Sequence, residues 1–184
     1  MVKRRINIVL DLDNTLISAI DDIEEDSIPI SRLLFLQKNL LWENMEDEFK
    51  VFSRPYLQEF LTWLFKNFNV SVWTAASKSY ALFVIHKFVL ADKPERKLDY
   101  VLFSHHCTES KKNHKAQKSL AMMDTVFPIG YFIDDTYIID DNKEVYNTQP
   151  DMCIRIKPFD VLKENCELDE ELLLIQKKLN KIKT

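Results

Sequence analysis

Glycine is almost missing from this chain: a single one, Gly130, occurs in 184 residues. A Walker P-loop, a GxGxxG dinucleotide turn and a GxSxG nucleophile elbow each need two or more glycines. P-loop kinases, Rossmann dehydrogenases with the usual fingerprint and typical α/β-hydrolases are therefore excluded. Cysteine is scarce too. Cys107, Cys153 and Cys166 are odd in number, widely spaced and without a CxxC pair. Neither a disulfide framework nor a structural zinc site is indicated, and a reducing, intracellular compartment (nucleus or cytoplasm) is expected. No apolar run approaches the ~20 residues of a membrane-spanning helix, and no signal-peptide pattern opens the sequence, so no membrane partner is expected. Positive charge is not in excess, with 25 Lys and Arg against 29 Asp and Glu and a formal net charge of -4. Direct nucleic-acid binding through phosphates is not expected, and Lys3-Arg4-Arg5 reads as solvated charge flanking the first strand.

What is present is an apolar fraction of 46%, ample for one domain with a sizeable core over residues 1–184. Short apolar runs alternate with helical patterns. Strands are predicted at 6–10, 49–53, 70–73, 100–103, 130–133 ("GYFI") and 152–156. Helices are predicted over "PYLQEFLTWLFKNF" after Arg54, over 79–90, over 116–123 and over 168–179. Strand–helix alternation implies crossover connections, hence a three-layer α/β/α, Rossmann-like parallel sheet. Residues 17–48 are the least regular part, and their acidic start, "DDIEED", reads as a solvated loop. The stretch leaves no room for a large cap.

In such sheets ligands bind at the carboxyl ends of the strands, so polar residues directly after a strand become the candidates. The first strand runs into "DLDNTL", with Asp11, Asp13 and Thr15. The strand at 70–73 ends at Thr74, and "GYFI" ends at Asp134-Asp135. A basic stretch, "SKKNHKAQKSL", lies between them. Carboxylates crowded at one edge repel and raise each other's pKa, which a divalent cation relieves. Mg²⁺ suits oxygen ligands, commonly one or two carboxylates plus a substrate phosphate. The set reads as a phosphate-handling site, with Asp11 available as a nucleophile. The second acidic pair, Asp140-Asp141, reads as a solvated turn.

"DLDNTL" resembles the DxDxT signature of the haloacid dehalogenase superfamily, and "WTAAS", a lysine and "FIDDT" follow in that superfamily's order. More narrowly, the chain resembles the RNA polymerase II carboxy-terminal-domain (CTD) phosphatases, the group of small CTD phosphatases and NLI-interacting-factor-like proteins. "RPYLQEFL" is similar to that family's R-P-x-x-x-E-F-L, "WTAASKSYA" to its F-T-A-S-x-x-x-Y-A, and "KSL" stands some sixteen residues before the acidic pair. The resemblance spans residues 6 to about 160. It implies a capless phosphatase in which Asp11 attacks phosphorus and Asp13 serves as general acid and base. Thr74 and the backbone near Ala75 would bind the phosphoryl group together with Lys118. Asp11, the Asp13 carbonyl and Asp134 would hold Mg²⁺. Thr15 would hold the loop conformation, Asp135 would bind a neighbouring water or lysine, and Tyr80 would line a peptide groove. The implied substrate is a phosphoserine or phosphothreonine protein, with the RNA polymerase II tail as the example the family offers.

Other readings stand beside these. "DLDNTL" lacks the Gly and Glu that a calcium loop needs at its sixth and twelfth positions. Lys111, Lys112 and Lys115 compete with Lys118; spacing and the following "SL" favour Lys118, with Lys115 second. "SHHC" at 104–107 suits surface or structural roles, since adjacent residues rarely converge on one ion. Arg54 either orients the acidic loops or caps the preceding strand. "RPY" departs from the family's "RPG". Two rivals to a protein phosphatase are a capless phosphatase of nucleotides, nucleic-acid ends or small molecules, and a non-catalytic binding module on the same fold.

Overall fold

The computed structural model describes residues 5–46, 48–127 and 133–183. Its centre is the apolar segment β1 (Asn7–Leu10), in which Ile8, Val9 and Leu10 are fully buried. A run apolar on both faces can only be satisfied between two helical layers. Parallel neighbours β5 (Asn69–Trp73) and β7 (Thr136–Asp140) flank it, followed outward by β6 (Leu98–Leu102) and β8 (Cys153–Arg155), in the order β6-β5-β1-β7-β8. The register sets Leu10 beside Val72 and Ile139. Asp11, Thr74 and Asp140 thus meet at one edge.

The two faces follow from the alternation along β1. Ile8 and Leu10 pack with α3 (Leu57–Asn67), α4 (Lys78–Val84, continued by a π-helical turn Ile85–Leu90) and α8 (Glu171–Lys183). Val9 faces the other way, toward α5 (Ser104–His114), α6 (Leu120–Val126) and α7 (Lys143–Thr148). Each fully buried aliphatic side chain contributes on the order of 1.5–3 kcal/mol, so the strand carrying the acidic loop is among the best-anchored parts of the chain.

The irregular-looking residues 17–48 are ordered. β2 (Ile17–Ile20), α1 (Asp22–Asp26), α2 (Ile30–Asn39) and β3 (Trp42–Met45) precede β4 (Phe49–Ser53), and β2-β4-β3 form a separate antiparallel sheet. Phe49–Ser53 is a strand as predicted, but belongs to this second sheet. "DDIEED" is a helix start, not a loop: Asp21 accepts from the Glu24 N–H and the Glu24 carboxylate reaches back to the Asp21 N–H, a capping box legible as D-x-x-E. The predicted strand at 130–133 lies outside the described residues except for Ile133, which sits in a 3₁₀ turn, Ile133–Asp135. The helix expected at 116–123 begins later, at Leu120.

Scarce glycine leaves a trace in the backbone. Asn14, Tyr56 and Lys115 are among the residues forced to positive φ. Asparagine tolerates this region, whereas a side chain such as Tyr56 (φ 64°) costs roughly 1–2 kcal/mol there.

Candidate active site

The loop after β1 is built for rigidity. Asn14 N–H donates to the Ile17 carbonyl, and the N–H groups of Thr15, Leu16 and Ile17 all turn back to Leu12. Arg54, completely buried, clamps this loop from behind. Its Nη1 donates to the Thr15 carbonyl at 3.1 Å, while Nε and Nη2 bind Asp169 at 2.7 and 2.8 Å and Nη2 also reaches the Lys157 carbonyl at 2.9 Å. A bidentate fork of this kind fixes direction as well as charge. Of the two roles open for Arg54, the structure shows contact with the acidic loop.

Asp11, 5% exposed, accepts from Thr15 Oγ1 at 3.2 Å and from Lys118 Nζ at 2.5 Å. Lys118, equally buried, also donates to Asp140 at 2.7 Å. The two carboxylates hold its ammonium well above the ordinary lysine range against the opposing effect of burial. Lys115, the second candidate, is exposed at the end of α5. Lys118 is held in place through backbone: Ser110 Oγ donates to the Ala116 carbonyl and accepts from Ser119 N–H, and Gln149 grips the Lys118 carbonyl and the Leu120 N–H.

Asp13 sits nearer the opening. Tyr80 donates to it at 2.7 Å. Burial pushes the Asp13 carboxyl up, and this hydrogen bond partly offsets the rise. Tyr80, expected only to line a groove, is thus directly bonded to the acid. Thr74, fully buried, accepts from Ala76 N–H at 3.0 Å through its hydroxyl oxygen, which leaves the hydroxyl proton free to donate. Ala75 beside it is exposed to the cleft. The "SHHC" segment has a structural part: His106 Nδ1 accepts from Phe103 N–H at 2.9 Å, and the buried Cys107 donates to the Thr74 carbonyl.

The acidic pair within the fourth motif, "FIDDT", needs correction. Asp134 and Asp135 precede β7, in the turn Ile133–Asp135, and neither is buried. In a parallel strand the two ends lie at opposite edges. Asp135 is five residues before Asp140, roughly 16 Å along an extended chain at ~3.3 Å per residue. Neither residue joins the cluster; Asp140 and Asp141, expected in a solvated turn, do. Asp140 is fully buried. One of its oxygens takes Lys118 and the other the Asn142 N–H at 2.8 Å. Burial first, then Asp11, push its carboxyl up to about 7, and Asp141 is shifted in the same direction for the same reasons. The missed signal was "TYII", a β-branched and aromatic run ended by acid, which is a better strand than the glycine-bearing "GYFI".

Carboxylate oxygens of Asp11, Asp140 and Asp141 lie within 4.8 Å of one another. The three carboxylates have one directly bonded lysine among them, and the donors are all oxygen. That set fits a hard divalent cation. The cleft over it, about 410 Å³, is also lined by Asp13, Thr74 and Ala75.

A parallel sheet presenting a D-x-D loop, a hydroxyl, a lysine and a second acidic pair at one edge defines a phosphatase of the haloacid dehalogenase superfamily. The chain belongs to the NLI interacting factor-like phosphatase family, whose model matches residues 6–184. It is 45% identical over 179 residues to a protein named CTD phosphatase-like protein 355R from Invertebrate iridescent virus 6, covering 95% of this chain and 97% of that one. The counterpart from Invertebrate iridescent virus 3 is 44% identical over 182 residues, covering 96% of each. The fold is similar to that of the fission yeast RNA polymerase II CTD phosphatase Fcp1 bound to beryllium fluoride, with a TM-score of 0.60 at 21% identity. That likeness covers 97% of this chain and 50% of the yeast chain, so the present chain spans about half the length of that solved chain. Among the described residues no helix is long and apolar enough to cross a membrane.

Proposed function

We propose that the chain is a Mg²⁺-dependent phosphoserine/phosphothreonine protein phosphatase working through a phospho-aspartate on Asp11. The observation that carries this reading is the Asp11–Lys118–Asp140 triangle under Thr74. Asp11, Lys118 and Asp140 meet around one cleft, which supports a reading of Asp11 as nucleophile, Lys118 as phosphate binder and Asp140 as metal ligand. Asp11, Asp140 and Asp141 are the side chains suited to hold the metal, with the Asp13 carbonyl as the family resemblance implies. When bound, the cation neutralises phosphoryl charge.

An Asp11 oxygen attacks phosphorus in line, forming the O–P bond as the serine or threonine ester bond breaks. Asp13, its carboxyl raised by burial, gives its proton to the departing alkoxide. Asp13 then takes a proton from water, whose oxygen attacks phosphorus and frees Asp11 and inorganic phosphate. Thr74 and Lys118 stabilise the equatorial oxygens, and in phosphoryl transfer most of the rate enhancement comes from such positioning and charge stabilisation. Tyr80 holds Asp13 toward the leaving group. The relatives named as CTD phosphatases support a phosphorylated polypeptide, such as the RNA polymerase II tail, as substrate.

The test is hydrolysis of an aryl phosphate and a phosphoserine peptide with Mg²⁺ or EDTA, by wild type and Asp11→Asn. Turnover that needs Mg²⁺ and falls at least about a thousandfold in Asp11→Asn is expected. A folded, Mg²⁺-loaded wild type that turns over neither substrate overturns the reading in favour of a binding module.

A further inference from the structure

The cleft has an acidic floor and a cationic wall. Lys143, the first residue of α7, and Arg155, the last of β8, line the same cleft as Asp11, Thr74 and Lys118. Both are exposed, and among the described residues neither side chain is engaged in an ion pair or hydrogen bond, in contrast to Lys118 with its two carboxylates and Lys157 with Glu171. Arg155 is also shared with an adjoining groove of about 390 Å³ that runs past Pro158 to Leu174 and Lys178 on α8. Lys157 and Glu171 in that groove pair with each other, so Arg155 and Lys178 leave its balance positive on the side leading out from the cleft.

This wall is surplus to the chemistry. Lys118 already serves the reacting phosphoryl group, and the floor's remaining excess is negative, which a cation satisfies. At about 410 Å³ the cleft is in the range that holds a whole small ligand, so there is room beyond one phosphoryl group. An unpaired guanidinium is suited to bidentate recognition of phosphate or carboxylate, and a lysine beside it adds a point charge.

We infer that Arg155 and Lys143 read a second anionic residue of the substrate polypeptide, close in sequence to the reacting phosphoresidue. The substrate class is thereby multiply phosphorylated or acidic segments. This rests on the protein-phosphatase reading above. The anion is a phosphate or a carboxylate, and the experiment separates the two.

The full chain with Mg²⁺ is assayed by phosphate release on peptides of one backbone. One carries a single phosphoserine; the others add a second phosphoserine, or a glutamate, one to three residues to either side. Wild type should show about tenfold higher kcat/KM when the second anion lies on one particular side, expressed mainly in KM. Preference for phosphoserine over glutamate identifies phosphate as the group read, and equal preference identifies charge alone. In the Arg155→Ala/Lys143→Ala variant the ratio of doubly to singly charged peptide should fall to about one, and Arg155→Glu should invert it. Arg155→Gln serves if the alanine variants do not fold. Equal rates on all peptides in wild type, or a preference that survives in the double variant, overturn the inference and leave the protein-phosphatase reading standing. Turnover of an aryl phosphate with none of any peptide overturns both.

Discussion

Two identical dipeptides bracket one strand of this protein. Asp134-Asp135 stands before β7 and Asp140-Asp141 at its end. The first pair lies by the edge where Asn7, Asn69 and Thr136 satisfy each other as neutral side chains. The second closes on Asp11 and Lys118. The same residues are bland at one edge and chemical at the other because parallel strands gather their carboxyl ends, with the loops that follow them, at one side. Strand polarity separates the two pairs, not composition.

The comparison breaks most sharply at the acids themselves. Asp140→Asn should lower kcat/KM on an aryl phosphate by at least about a hundredfold, while Asp134→Asn/Asp135→Asn stays within about twofold of wild type. Parity between the two variants in a steady-state assay would sink the assignment of the working edge. Next comes the clamp behind the site. Arg54→Ala leaves Asp169 and two loop carbonyls without their buried partner, and a loss of about 3–5 kcal/mol in urea unfolding is expected. The charge at the working edge has a pH signature of its own. Asp140 is raised in the folded protein, so in EDTA its contribution to stability falls as pH rises from the ordinary carboxylate range toward about 7. Wild type should lose melting temperature over that window relative to Asp140→Asn, and saturating Mg²⁺ should remove the difference. Tyr80→Phe removes one hydrogen bond to Asp13 and should reduce kcat about tenfold with KM little changed. The smallest expected effect concerns backbone alone: Tyr56→Gly relieves a left-handed residue and should stabilise by about 1 kcal/mol in the same unfolding assay.

Much of this was legible beforehand, for identifiable reasons. The run into "DLDNTL" reads clearly as a buried strand, because it is apolar apart from Asn7 and ends abruptly in charge. α3 is likewise over-determined: Phe60, Leu61, Leu64 and Phe65 recur at helical spacing, and all are buried. Lys118 was favoured over Lys115 by its spacing to Asp134, which lies at the other edge, and by the following "SL"; its burial between Asp11 and Asp140 is a tertiary fact. The fourth motif was harder because two acidic pairs stand six residues apart, and reading "GYFI" as the strand favoured the first. The antiparallel sheet of 17–53 escaped because β2 and β3 are four residues each, too short for a periodic signal. Tyr80 was readable as an aromatic on an amphipathic helix, yet nothing local points its hydroxyl at Asp13.

By itself the sequence determined the groups available: acids without glycine-rich phosphate loops, a strand that ends in an aspartate, then a hydroxyl and a lysine in the family's order. Local rules fix these, because apolar periodicity, capping and residue type act over a few positions. Only the tertiary structure decided which acids share an edge, which lysine is buried between them, and that Arg54 holds the motif loop while paired with Asp169, 115 residues away. Those are contacts between distant segments. Their energies come from burial and charge pairing in the assembled sheet, and no short stretch of the chain contains them.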